Sequence, residues 1–204
     1  MNPRGALWRE RVELGKGGRR HLALCGFMGV GKSSVARLIA PALGLKAVDV
    51  DAEAEAKMGH SIDAEFQLGH GERFRDLEAL LVAEILDGEP AVIALGGGAV
   101  LRPETLQRLL SQSVLVYLHV AWEDMRSWVA ELSYDRPVIQ GRTLDEVEAI
   151  YGRRLPIYRR AHLEVAVDRS GPQVAAAEVL AALGVHPLRP GSETSLGDSS
   201  GLGR

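Results

Sequence analysis

Short apolar runs alternate along this chain with longer stretches in which apolar residues recur every three or four positions. The runs Leu22–Cys25, Lys46–Val50, Ala91–Leu95, Val114–Val120 and Leu163–Val167 are read as strands. The stretches Ser33–Leu43, Ser61–Gly69, Arg73–Asp87, Pro103–Leu110, Trp122–Glu131, Leu144–Arg154 and Pro172–Leu183 fit helices. Strand following helix following strand predicts right-handed crossovers, hence a five-stranded parallel sheet covered by helices on both faces. Residues 1–20 are Gly- and Arg-rich without sustained periodicity and read as a flexible leader. Residues 187–204 are rich in Gly and Ser and read as a disordered tail, leaving one folded domain over 21–186.

The first strand–helix junction carries chemistry. Gly26-Phe27-Met28-Gly29-Val30-Gly31-Lys32-Ser33 fits G-x-x-x-x-G-K-[ST], a loop whose backbone N–H groups cradle phosphate. Lys32 is positioned to reach the β/γ-phosphates and Ser33 to hold Mg²⁺. The helix that follows presents its positive dipole end to the same anion. This makes the domain a three-layer P-loop α/β fold that binds a nucleotide.

Composition narrows the setting. The 204 residues carry 46% hydrophobic and 25% charged residues, ordinary for a globular domain. A formal net charge of −3 supplies no general attraction to nucleic acid or acidic membranes, so anionic substrates would rely on a few local arginines. A single cysteine, Cys25, forms no internal disulfide, sits in the first strand as a core residue, and suits a reducing cytoplasm. No apolar run reaches the roughly 18 residues of a membrane helix, and no apolar signal core is present near the N-terminus. A cytoplasmic monomer with no nucleic-acid or membrane partner is the expectation.

Asp49 and Asp51 close the second strand, where residues two apart share a face. Both carboxylates are then expected to face the crevice at the strand ends, one holding Mg²⁺ and the other orienting or deprotonating an attacking hydroxyl. Gly96, Gly97 and Gly98 end the third strand. Three glycines there point to a ligand lying against bare backbone, with a plain flexible turn as the alternative. Arg75 and Glu78 share a helix face, so Glu78 can orient Arg75 for bidentate capture of a carboxylate; Arg73 lies about 200° round the helix and faces elsewhere. Arg136 falls in a stretch that reads as a mobile lid, and Arg154 precedes a helix break expected at Pro156.

Taken in order, these stations closely resemble the shikimate kinase family: 26–33, Asp49-x-Asp51, Gly59-x-Ser61-Ile62, Phe66, Phe74-Arg75-x-x-Glu78, Gly96-Gly97-Gly98, Arg136-Pro137 and Arg154-x-Pro156-x-Tyr158. The resemblance implies transfer of the γ-phosphoryl group of ATP to the 3-hydroxyl of shikimate. It implies ATP contacts from Gly26, Met28, Gly29, Val30, Gly31, Lys32, Ser33 and Ser34, and from Arg136 on the lid. Mg²⁺ would lie on Ser33 and Asp49. The catalytic set would be Asp51, Lys32 and Arg136. Shikimate would contact Asp51, Arg75, Gly96, Gly97, Gly98 and Arg154, with Glu78 orienting Arg75.

Two departures stand out. His70-Gly71 replaces the family's usual Gly-Glu and reads as a surface change of little consequence. Trp128 stands where relatives often place an adenine-stacking arginine; it is read either as an adenine platform opposite Pro172 or as core packing. A non-catalytic ligand sensor on the same scaffold, or another P-loop small-molecule kinase, are the competing readings. The retained Lys32, Asp49 and Asp51 speak against the first, and the Phe-Arg-x-x-Glu and triple-glycine stations against the second.

Overall fold

A computed structural model describes residues 20–131, 139 and 141–185. The leader (except Arg20), the tail from 186 onward and the lid arginine Arg136 therefore lie outside the described residues. Five parallel strands, β1 (His21–Cys25), β2 (Lys46–Asp49), β3 (Ala91–Ala94), β4 (Ser113–His119) and β5 (Leu163–Ala166), form a sheet in the order β2-β3-β1-β4-β5. The strand expectations hold to within one residue at each end.

β1 is buried along its whole length because it is flanked by strands on both edges and helices on both faces. Its register, Leu22 beside Val92 and Val114, locks three strands into one apolar layer. His21 is buried among them. Its Nε2 lies 3.1 Å from the Leu86 carbonyl, and its Nδ1 accepts the Ala91 N–H at 3.3 Å. Both contacts are satisfied by a neutral ring, and burial lowers the histidine pKa accordingly. Cys25 is 1% exposed and burial pushes its thiol up to about 12, consistent with a core residue and not a nucleophile.

The helices are α1 (Lys32–Leu43), α2 (Val50–Met58), α3 (Ile62–Gln67), α4 (Gly71–Asp87), α5 (Pro103–Gln112), α6 (Trp122–Glu131), α7 (Leu144–Tyr158) and α8 (Pro172–Ala182). Among the described residues, no helix is long and apolar enough to cross a membrane.

Two expectations are corrected here. Asp51 is not a strand residue: β2 stops at Asp49, whose side chain caps α2 by accepting the N–H groups of Asp51 and Ala52. Helix α2 escaped the periodicity reading because only Val50 and Ala54 along it are buried. Alanine and glutamate propensity, an aspartate cap and acidic residues in the first turn form it instead. The break expected at Pro156 is also absent, since α7 runs through it to Tyr158. Pro156 is exposed and falls in the last turn, where it interrupts one hydrogen bond near the helix end.

Candidate active site

The phosphate loop joins β1 to α1 and has cavities on both sides. Gly26 opens it at φ 145°; a Cβ there would stand 2.6 Å from the Leu118 carbonyl oxygen, so only glycine lets the loop leave the sheet this close to β4. Gly31, at the N-cap of α1, supplies no side-chain cap, which leaves the first amides of the helix for an anion. Lys32 is 9% exposed, and its ammonium donates to the Gly26 and Phe27 carbonyls at 3.0 and 2.9 Å. The charge is thereby held directly over the loop.

On one side lies a cavity of about 640 Å³. Met28 and Ser33 of the loop, Asp49 and Asp51, Arg75 and Glu78, Gly97 and Gly98, and Arg154 all line it. These five chain segments bring together most of the acceptor and metal residues that the sequence singled out. Asp49 spends Oδ1 on the α2 cap, with N···O distances of 3.1 and 3.4 Å, and places Asp51 in the first turn of that helix. The two carboxylates therefore share the cavity through a helix cap, not through strand alternation.

Arg75 and Glu78 behave as expected from their spacing. Arg75 donates to Glu78 Oε2 at 2.6 Å, and its guanidinium lies 5.0 Å from the Phe74 ring and 5.6 Å from the Phe66 ring. Arg73 turns away to Glu65. Glu78 is buried, and desolvation pushes its pKa up, opposed by the Arg75 charge and hydrogen bond. Its Oε1 is buried without a hydrogen-bond partner.

The glycines make room for the protein's own side chains. A Cβ on Gly96 would meet Glu78 Oε1 at 2.3 Å and Asp51 Oδ1 at 2.5 Å. On Gly98 it would meet the Arg75 guanidinium at 2.5 Å. Gly96 thus acts behind the cavity wall by letting two carboxylates pack, while Gly97 and Gly98 face the space. The Gly97 carbonyl accepts from Arg154 Nη1 at 3.3 Å and from the Tyr158 hydroxyl at 2.6 Å. Because α7 continues through Pro156, Arg154 and Tyr158 sit four apart on one helical face and fasten to the same oxygen. Arg154 also lies 5.8 Å from the Phe27 ring, which ties it to the loop.

On the loop's other side is a cavity of about 590 Å³ lined by Gly29, Val30, Gly31 and Ser34, and by Trp128 and Pro172. Trp128 packs partly against the core and also lines this space, so the two readings of it are compatible. Arg169 lines the same cavity and donates to Ser127 at 2.8 Å. It was not singled out from sequence, because a lone arginine beside Ser170 and Gly171 reads as a turn. Phe66 and Tyr158 were recognised as stations without a role; an aromatic support for a guanidinium has no spacing signature. His70 is exposed, as expected of a surface change; it is the N-cap residue of α4, and its Nδ1 lies 3.7 Å from Oε1 of the buried Glu65.

The family model for shikimate kinase matches residues 28–184. The chain is 34% identical to a shikimate kinase of Oceanobacillus iheyensis over 72% of this chain and 80% of that one. It is 43% identical to a shikimate kinase of Nitrobacter winogradskyi over 72% of this chain and 69% of that one. Among solved structures, a shikimate kinase of Acinetobacter baumannii in complex with shikimate superposes with a TM-score of 0.74. It is 26% identical, covering 88% of this chain and 99% of the other. A shikimate kinase of Aquifex aeolicus gives 0.70 at 30% identity over 80% and 96% of the two chains.

Proposed function

The chain belongs to the shikimate kinase family, and from that premise we propose that it transfers the γ-phosphoryl group of ATP to the 3-hydroxyl of shikimate. One observation carries the reading: the phosphate loop is the common wall of two cavities, one lined by Trp128 and Pro172, the other by Asp51, Arg75, Glu78 and Arg154. A nucleotide in the first would deliver its terminal phosphate across the loop to an acceptor in the second.

Each residue then has a role that follows from its surroundings. Arg75, held beside two phenylalanine rings by Glu78, and Arg154, anchored on Gly97, offer two guanidinium forks to the acceptor carboxylate. Asp51 orients the attacking hydroxyl and accepts its proton. Lys32 moves from loop carbonyls to the β/γ-phosphates, and Arg136 supplies a further cation to them. The amides of 29–34 hold the remaining phosphate oxygens.

The hydroxyl of Ser33 and the carboxylate of Asp49 line the same cavity and are hard oxygen donors, a set that fits Mg²⁺ when phosphate oxygens complete the coordination. When bound, the ion would neutralise charge on the bridging phosphate oxygens. A cytoplasmic monomer completes the proposal, the single cysteine, Cys25, suiting a reducing compartment.

A coupled ADP-release assay with shikimate, gluconate, a nucleoside monophosphate or no acceptor tests the proposal. Shikimate-dependent ADP release supports it. Turnover only with another acceptor, or with none, would overturn it.

A further inference from the structure

Tyr158 has no role in the chemistry above, yet it is tied to a group that does. It ends α7 one turn after Arg154 and is 1% exposed. Its ring stacks on Tyr117 of β4, with centroids 5.3 Å apart and planes inclined by 22°. Its hydroxyl donates to the Gly97 carbonyl at 2.6 Å, on the short side for an O–H···O bond. Burial pushes the phenol up to about 12, against the opposing charge of Arg154, so the hydroxyl keeps its proton and remains a donor.

Arg154 Nη1 donates to the same oxygen, but at 3.3 Å, whereas N–H···O bonds ordinarily close to about 2.9–3.0 Å. Of the two donors, the hydroxyl holds the oxygen and the guanidinium only leans on it. One loose bond leaves most of the arginine N–H groups for the acceptor cavity that Arg154 lines. Gly97 itself lies between the phosphate loop and α7: a Cβ there would stand 3.6 Å from the Met28 amide nitrogen and 3.9 Å from Arg154 Nη1.

Without the Tyr158 hydroxyl, that carbonyl would keep a single overlong bond. An acceptor left short of donors is costly, and a guanidinium already within reach is what would satisfy it. Arg154 would then close on Gly97 and turn from the cavity. We propose that Tyr158 is a positioning residue: by saturating the Gly97 carbonyl, its hydroxyl holds Arg154 off the backbone and keeps the guanidinium available to the acid group of the acceptor. Stacking on Tyr117 fixes the ring that carries this hydroxyl. Arg75 is set by a separate device, its bond to Glu78, so the two forks are placed independently.

The inference rests on Arg154 gripping shikimate, and its test separates the two. Tyr158→Phe removes one oxygen and keeps the stacked ring. Shikimate KM should rise about fivefold, the scale of one hydrogen bond, with kcat and ATP KM unchanged. Arg154→Ala and the double variant complete a cycle read as kcat/KM for shikimate. The double variant should match Arg154→Ala, because no guanidinium is left to hold in place. A full additional loss in the double variant, or an unchanged shikimate KM in Tyr158→Phe, overturns the proposal and leaves the hydroxyl a packing role. Should wild type not turn over shikimate at all, the acceptor assignment fails instead, and crystal structures of wild type and Tyr158→Phe decide alone. Shortening of the Arg154–Gly97 contact in the variant, from 3.3 Å towards about 2.9 Å, supports the proposal. An unchanged contact overturns it.

Discussion

Gly98 and Arg75 meet so closely that only a hydrogen fits between them: a methyl group on Gly98 would lie 2.5 Å from the guanidinium carbon. The arginine cannot simply retreat, because Glu78 and two phenylalanine rings hold it from the other side. Gly98→Ala is therefore expected to displace the fork that meets the acceptor acid group. Steady-state kinetics should show shikimate KM raised about tenfold or more, by loss of a charge-assisted hydrogen bond, with ATP KM unchanged. An unchanged shikimate KM would mean that Arg75 works from another position.

Gly96 tests the same crowding with a different readout. Its Cβ would strike Glu78 and Asp51 together, at 2.3 and 2.5 Å. Gly96→Ala should lose about 1–3 kcal/mol of stability through overpacking and also lower kcat, since Asp51 is pushed off the reacting hydroxyl. Denaturant unfolding and turnover measured on one preparation check both. Loss of stability with kcat intact would confine Gly96 to a packing role.

Glu78 ties stability to pH. Burial raises its folded-state pKa above the unfolded value. Its protonation therefore contributes stability that is present below the ordinary glutamate range and is lost as pH rises through the folded value. Replacing it removes that loss. The melting temperature of Glu78→Gln relative to wild type should therefore be higher at pH 7 than at pH 4.5, while shikimate KM rises because Arg75 loses its orienting partner. A difference in melting temperature that is constant with pH would contradict this.

Trp128 and Pro172 line the second cavity along the loop, the one proposed for the nucleotide. Trp128→Ala should raise ATP KM by about 5- to 150-fold, the worth of a base–aromatic stack of roughly 1–3 kcal/mol, and leave shikimate KM alone. Lower stability with ATP KM unchanged would assign the indole to the core.

The sheet was legible because each strand is a short apolar run bounded by polar turns, and the phosphate loop because its glycines and lysine are bound to a fixed spacing. Arg75 and Glu78 were legible through helical periodicity. Helix α2 was not: its formation depends on capping by Asp49 and on Ala/Glu propensity, with almost no buried stripe to mark it. Nor was the packing reason for Gly96 and Gly98, where side chains of Glu78, Asp51 and Arg75 occupy the room a Cβ would need. The shared Gly97 carbonyl was invisible for a related reason. Arg154 and Tyr158 reach it together only because α7 runs on through Pro156.

The central claim is that Asp51 acts on the reacting hydroxyl while Arg75 and Arg154 hold the acceptor beside it. Steady-state kinetics of Asp51→Asn test it most directly. kcat should fall by about 10²–10⁴-fold, the usual weight of a positioned general base, with shikimate KM within about threefold of wild type. A KM raised as far as kcat is lowered would make Asp51 a binding group and contradict the account.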